Sequence, residues 1–341
     1  MSQSMWGNSE TQYFFGLGPD QVLDAIDLLG FKTTGRCLTL NSMENRVYEI
    51  ELEDSIGDPN NPSDQFVVAK FYRPGRWSKE QILEEHGFLF DLIENEIPAI
   101  APLKVKGESL HWLEDGQLWY TLFPRRGGRN PDEMNEEQTE QLGRLLGRMH
   151  LVGKSKTASH RLSLTPQVYG ELNLNYLLEA QCIPGHIEDD YKKQAQQIIQ
   201  HIIPLFEGVT TQRIHGDCHW GNILWHHQNG PSFLDFDDMV VGPAVQDIWL
   251  IIAGRDQEAR IQREILIEGY NTMNSFDRRQ LILIEPLRTL RFIHFSAWIS
   301  RRWEDPSFKN AFPQFDSEHY WQIQLKDLQE QWLLIKDAEH Y

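Results

Sequence analysis

The chain has 341 residues, a formal net charge of −18 at pH 7, and 40% apolar and 11% aromatic residues. That length exceeds what one core usually fills, so two lobes are expected; the acidic balance argues against duplex nucleic acid and anionic membranes, which are bound through basic faces. Three scattered cysteines (Cys37, Cys182, Cys218), an N-terminal "MSQSMWGNSETQ" without the marks of a signal peptide, and the lack of a long apolar run together lead to the expectation of a cytoplasmic protein with reduced thiols.

The first third reads mixed, then strand-rich. "GPDQVLDAIDLLG" (18–30) spaces Val22, Leu23, Ile26 and Leu29 as a helix does. "GRCLTL" (35–40), "NRVYEIEL" (45–52) and "DQFVVAKFYR" (64–73) are short β-branched or aromatic runs and predict strands. Ser78 and Gln81 make a capping-box pair before the helical "ILEEHGFLFDLI". "SLHWLE" and "QLWYTLF" flank Asp115-Gly116 and predict a hairpin. "PRRGGRNP" (124–131) is the candidate boundary, giving a lobe at 1–124 and another at 125–341.

The remainder reads mostly helical. Helices are expected over 140–153 and near 188–205, 256–273, 278–303 (with Pro286 as a kink or break) and 317–337. One hairpin interrupts them, "NILWHHQNGPSFLDF", turning at Asn229-Gly230. The expected fold class is α+β, with a small β-rich N-lobe and a larger, mostly helical C-lobe.

The chemistry concentrates in "IHGDCHWGNILWHHQNGPSFLDFDD" (214–238). Structural zinc wants paired Cys or His spacings, and Cys218 has no cysteine near it. No G-x-S-x-G elbow points to a serine hydrolase. Phosphoryl transfer needs a carboxylate at the acceptor hydroxyl, hard oxygen ligands for Mg²⁺, and a lysine on the phosphates. Asp217 is followed by Asn222, and the hairpin then delivers Asp235. Asn222 and Asp235 suit Mg²⁺, which leaves Asp217 to orient the hydroxyl and take its proton. Lys70 stands on an apolar strand, either snorkelling from an edge or facing a cleft. The next helix offers Glu85 as its partner, with Glu84 as the alternative.

These motifs carry a resemblance. "HGDCHWGNILW…FLDFDD…GPAVQDIW" resembles the aminoglycoside phosphotransferase and choline kinase group, a branch of the protein-kinase-like fold. "LNSMENRVYEI", "KFYRPGRW", "ILEEH", "LGRMH" and "IEPLRTLR" resemble more closely a bacterial branch that phosphorylates protein serine and threonine in the stress response. The likeness spans roughly residues 20–335. It implies a bilobal kinase fold, with Asp217 and Asp235 catalytic and Asn222 and Asp235 binding Mg²⁺. It further implies ATP held by Ser42, Lys70, Glu85 and Phe123, the last within the "TLFP" segment beside adenine. It also implies that Asp247 braces the catalytic loop.

Several residues depart from the protein-kinase pattern. "LNSMEN" contains no glycine, Gly216 replaces an arginine, and Phe236-Asp237 follows the metal-binding aspartate. The stretch between Asp235 and Gln246 leaves no room for an activation loop, which favours a small alcohol as acceptor on physical grounds. The closer resemblance implies a protein Ser/Thr acceptor instead, with a small-molecule hydroxyl kinase as the alternative. A choline-type site would need an aromatic cage, for which Trp298 and Trp303 are candidates. An inactive scaffold is disfavoured because Lys70, Asp217, Asn222 and Asp235 are all present. The acceptor side is expected around "EPLRTLRFIHFSAWISRRW" (285–303), which mixes Arg288, Arg291, Arg301 and Arg302 with Phe292, Phe295 and Trp298. The expected state is a monomer.

Overall fold

The β-branched and aromatic runs before residue 124 pair into one antiparallel sheet in a computed structural model that describes residue 14 and residues 16–338. The signal-peptide expectation concerns residues 1–12 and lies outside the described residues. The sheet strands are β1 (Thr33–Leu40), β2 (Arg46–Leu52), β3 (Phe66–Phe71), β4 (His111–Leu113) and β5 (Leu118–Pro124). Their order is β1-β2-β3-β5-β4.

Period-two alternation assigns the two faces of this sheet. Tyr48, Ile50 and Leu52 of β2, Val67, Ala69 and Phe71 of β3, and Leu118, Tyr120 and Leu122 of β5 fall on one face. They form a core with Val22, Ala25 and Ile26 of helix α1 (Pro19–Leu28). Tyr120 satisfies its buried hydroxyl by donating to the Ala25 carbonyl at 3.0 Å. The intervening residues Val47, Glu49, Val68, Lys70 and Phe123 line a cavity on the opposite face. Lys70 is therefore not a snorkelling edge lysine: strand parity fixes its side.

Helix α2 (Lys79–Glu94) follows, opened by the expected reciprocal cap of Ser78 and Gln81. The β-hairpin Ile223–His226/Gly230–Phe233 belongs to the same unit, which runs to Met134 and takes back Trp220–Asp237. This division runs past Pro124 because later residues bond to the unit. Phe233 N donates to Pro98 O at 3.1 Å, and Arg129 and Trp225 exchange backbone hydrogen bonds. The hairpin reverses one step before the expected Asn229-Gly230 turn. His226 pairs with Gly230, whose φ of +73° is one a glycine adopts without strain.

The second unit holds Asn135–His219 and the chain from Asp238 onward. Its helices are α3 (Glu136–Lys154), α4 (Leu172–Glu179), α5 (Gly185–Ile202), α6 (Val245–Ile251), α7 (Gln257–Asn271), α8 (Ile284–Arg301), α9 (Pro306–Ala311) and α10 (Glu318–Ala338). A short antiparallel pair, Gln212–Ile214 with Val240–Gly242, sits among them. Two expectations are corrected here. The run 278–303 is not one helix: a 3₁₀ stretch, Arg278–Leu283, precedes α8. Pro286 falls in the first turn of α8, where a missing N–H costs nothing, so it neither kinks nor breaks the helix. Among the described residues, no helix is long and apolar enough to cross a membrane.

Glycines set the approach of α3 to α7. A Cβ on Gly143 would lie 2.1 Å from the Leu266 carbonyl oxygen, and one on Gly269 would lie 2.2 Å from the Glu140 carbonyl oxygen. Neither neighbour is a flexible side-chain tip, so the helices would have to separate. Gly143→Ala should destabilise the fold by about 1–3 kcal/mol, the range for overpacking. Chemical denaturation measures this, and an unchanged midpoint would show that α3 and α7 tolerate separation.

Candidate active site

The unit-one cavity has a volume of about 410 Å³ and is lined by Ser42, Val47, Val68, Lys70, Glu85, Leu89, Phe123, Leu234 and Asp235, among others. Ser42, Lys70, Glu85, Phe123 and Asp235 were drawn from distant parts of the sequence and meet here. Ser42 sits in the β1–β2 turn, where its Oγ accepts from Asn45 N at 3.3 Å. Phe123 is paired with Val68 across β3 and β5.

Lys70 is buried, and its Nζ lies 3.7 Å from Glu85 Oε1, 3.1 Å from Asp235 Oδ1 and 3.0 Å from Asp237 Oδ1. Burial pushes the lysine's pKa down, but Asp235, Asp237 and Glu85 outweigh that and hold it well above the usual range. The ammonium is therefore charged at neutral pH. The structure settles the Glu84/Glu85 choice: the partner is Glu85, almost wholly buried on the inward face of α2.

Asp235 does not end the second hairpin strand. It lies two residues beyond Phe233, at φ +57°, in the left-handed region that aspartate tolerates better than most residues. The hairpin fixes Asn222 near it, because Leu234 N donates to Asn222 O at 3.1 Å just past the Ile223–Phe233 pair. Asn130 secures the same segment by donating to the carbonyls of Trp220, Gly221 and Ile223 at 2.9–3.2 Å. The residues Asn222 and Asp235, one bearing an amide oxygen and the other a carboxylate, thus flank one end of a hairpin, with the Asp235 side chain 48% exposed. That hard-oxygen donor set fits a divalent cation such as Mg²⁺.

Sequence reasoning missed part of this constellation. Asp237 is a second carboxylate on Lys70, and it also faces Arg76 Nε at 3.5 Å and accepts from Trp77 Nε1 at 3.4 Å. Arg73 braces the Ser42 turn, with Nε 3.1 Å from Glu44 Oε1 and its backbone N donating to Asn45 Oδ1. The signal was "YRPGRW", two arginines beside a turn, whose reach onto another segment cannot be read from spacing.

Asp217 belongs to the second unit and follows a glycine that only glycine can be. Gly216 has φ +86°, and a Cβ there would lie 2.2 Å from the Asp238 carbonyl oxygen. The expected brace is present. Asp247, fully buried, accepts from His215 N and Gly216 N at 2.9 Å each, and its Oδ2 lies 2.9 Å from His150 Nε2. Asp247→Ala would orphan these three donors at about 1–3 kcal/mol each. The unfolding free energy from chemical denaturation should fall accordingly, by about 3 kcal/mol or more in total, and turnover should fall with it. A stable, fully active variant would remove Asp247 from this role.

Asp217 itself is about one-fifth exposed, with Oδ2 3.3 Å from His219 Nε2 and Oδ1 2.8 Å from Arg291 Nη1. Burial raises its pKa, but the His219 hydrogen bond and the Arg291 guanidinium outweigh burial and hold the carboxyl well below the usual carboxylate range. Cys218 between them is fully buried, and burial pushes its thiol well up, so it is no nucleophile at neutral pH. Of the four arginines expected on the acceptor side, only Arg291 is placed at Asp217. Arg288 pairs with Glu285, Arg301 donates to Asn173, and Arg302 is buried.

Comparison with known proteins bears on the family and the fold. The family described as "APH: Phosphotransferase enzyme family" matches residues 39–283. The chain is 38% identical over 331 residues to stress response kinase A of Escherichia coli, covering 97% of both chains. It is 37% identical over the same length to the serine/threonine protein kinase RdoA of Salmonella typhimurium, again with 97% of both covered. Among solved structures, the amicoumacin kinase hAmiN, in complex with AMP-PNP, Ca²⁺ and Ami, shares the fold. Its TM-score is 0.69 at 19% identity, over 91% of this chain and 95% of that one. The bilobal protein-kinase-like architecture read from the sequence is thus the observed one, and the chain belongs to the phosphotransferase enzyme family as an ATP-dependent kinase.

Proposed function

We propose that this kinase transfers the γ-phosphoryl group of Mg²⁺-bound ATP to serine or threonine hydroxyls of protein acceptors, as part of a bacterial stress response. The observation that carries the nucleotide half is Lys70, buried and charged in a cavity with Glu85 and Asp235. The protein-acceptor half is supported by the 37–38% identical relatives named stress response kinase A and serine/threonine protein kinase RdoA.

The roles follow from the chemistry of each group. Lys70, oriented by Glu85, binds the phosphates; the Ser42 turn supplies a hydroxyl and backbone N–H groups over them. The β5 segment at Phe123 lies beside the adenine. Asn222 and Asp235 hold Mg²⁺, which when bound neutralises phosphate charge. Asp217 orients the acceptor hydroxyl and takes its proton as the oxygen bonds to the γ-phosphorus and ADP departs with the electrons of the broken bond. Nucleotide binding belongs in this scheme to the first unit, and acceptor binding to the second. We assign the working protein to the cytoplasm as a monomer.

One observation favours a second reading, a small-molecule hydroxyl kinase. Helix α6 begins at Val245, so the chain between Asp235 and α6 is too short for the loop on which protein kinases seat peptides. Incubation with γ-labelled ATP and Mg²⁺ separates the two. Label should enter an unstructured Ser-rich protein such as casein, and the kinase itself. Label confined to a small alcohol from a metabolite extract would establish the second reading instead.

A further inference from the structure

Three of the four arginines between residues 285 and 303 are committed to the fold. Arg288 bonds Glu285 and the Ala253 carbonyl; Arg301 is buried on Asn173 and the Tyr176 ring; Arg302 is buried. Arg291 differs. Its side chain is 37% exposed, and its Nη1 rests 2.8 Å from Asp217 Oδ1. His219 holds the other carboxylate oxygen at 3.3 Å. Both oxygens of the proposed base therefore already face nitrogen partners.

A hydroxyl that gives its proton to Asp217 must hydrogen-bond one of those oxygens. An acceptor bringing only a hydroxyl competes with an ion pair and offers the guanidinium nothing in return. An acceptor that also carries an anion gives Arg291 a second partner. The guanidinium has five donors in a planar fork, so one edge can grip a carboxylate or phosphate while Asp217 turns its lone pairs to the hydroxyl. The net charge of −18 repels anions at long range, so an anionic acceptor would depend on a local cation such as Arg291 at the point of reaction.

We propose that Arg291 is a specificity-determining residue that selects acceptors bearing a carboxylate or phosphate close to the reacting hydroxyl. This rests on Asp217 being the base. The anion can come from an acidic residue beside a Ser or Thr in a polypeptide, or from the acid group of a small hydroxy acid. The chemistry Arg291 recognises is the same in both.

The test uses two isosteric pairs with the full-length protein. One pair is a Ser peptide flanked by Asp and the same peptide flanked by Asn; the other is glycerate and glyceramide. The wild type should favour the acidic member of at least one pair by about 10- to 100-fold in kcat/KM, the range of a charge-assisted hydrogen bond. The responding pair identifies the source of the anion. Arg291→Gln should collapse that preference to within about twofold, while Arg291→Lys should retain part of it; a role in folding alone would lower both members of a pair together. Thermal melting of each variant confirms that it is folded. Absence of acid preference in both pairs, absence of any transfer included, overturns the proposal. So does an acid preference that survives in Arg291→Gln. Asp217→Asn run alongside keeps the two assignments apart. Undiminished turnover in that variant defeats the base assignment. Lost turnover with no acid preference in the wild type defeats only the role of Arg291.

Discussion

Asp217→Asn should reduce phosphoryl transfer by about 10²–10⁴-fold, the contribution of a positioned general base, while leaving ATP affinity within a few-fold of wild type. The two halves of this expectation have separate structural grounds. Asparagine keeps the size of the side chain but removes the charge that orients a hydroxyl and the lone pair that takes its proton. The cavity that carries Lys70, Glu85 and Asp235 is lined by residues of the other unit, so nucleotide binding should persist. Steady-state turnover and titration with a fluorescent ATP analogue read the two quantities independently. Turnover within a few-fold of wild type would remove Asp217 from the role of base. A parallel loss of ATP binding would mean that the substitution acts through the fold.

Asp235→Asn should abolish metal-dependent ATP binding, at a cost of several kcal/mol, on the order of 10²–10⁴-fold in affinity for the metal–nucleotide complex. Asparagine is the informative substitution because it tolerates the left-handed backbone at φ +57° and keeps an oxygen in place, so the loss isolates the carboxylate charge from backbone strain. The loss should appear as a collapse of the difference between ATP titrations with and without Mg²⁺. His226→Ala, in the same hairpin, should leave the metal requirement intact. If His226→Ala instead released bound metal, the cluster would be a histidine-based centre of the kind that the cysteine spacing argues against.

The strands of the first unit were legible in the sequence, but Lys70 in "FVVAKF" stayed open between an edge and a cleft until its neighbours' faces were known. The capping pair at Ser78 and Gln81 and the hairpin that brings Asn222 near Asp235 were also readable, because each depends on residues a few positions apart. Short elements were not. Helices α4 and α9 are too brief for periodicity to rise above their surroundings, and the Gln212–Ile214/Val240–Gly242 pair joins segments too far apart to match by pattern. Pro286 misled because a proline signal is the same at the first turn of a helix as at a kink; the boundary at Ile284 decides which. Asp237 was invisible as a site residue, and Arg291 could not be told apart from Arg288, Arg301 and Arg302, for a related reason. Spacing along α8 or after Asp235 gives a face, whereas the partner on that face is set by tertiary packing.

The central claim is that the hairpin end and the Lys70 cavity together hold metal-bound ATP. A crystal structure of the protein with Mg²⁺ and a non-hydrolysable ATP analogue tests it most directly. The account predicts adenine beside Phe123, Mg²⁺ ligated by the Asn222 amide oxygen and the Asp235 carboxylate, and Lys70 Nζ moved from Asp235 onto phosphate oxygen with Glu85 still at its back. Nucleotide bound away from Lys70, or Mg²⁺ held without Asn222 and Asp235, would contradict it.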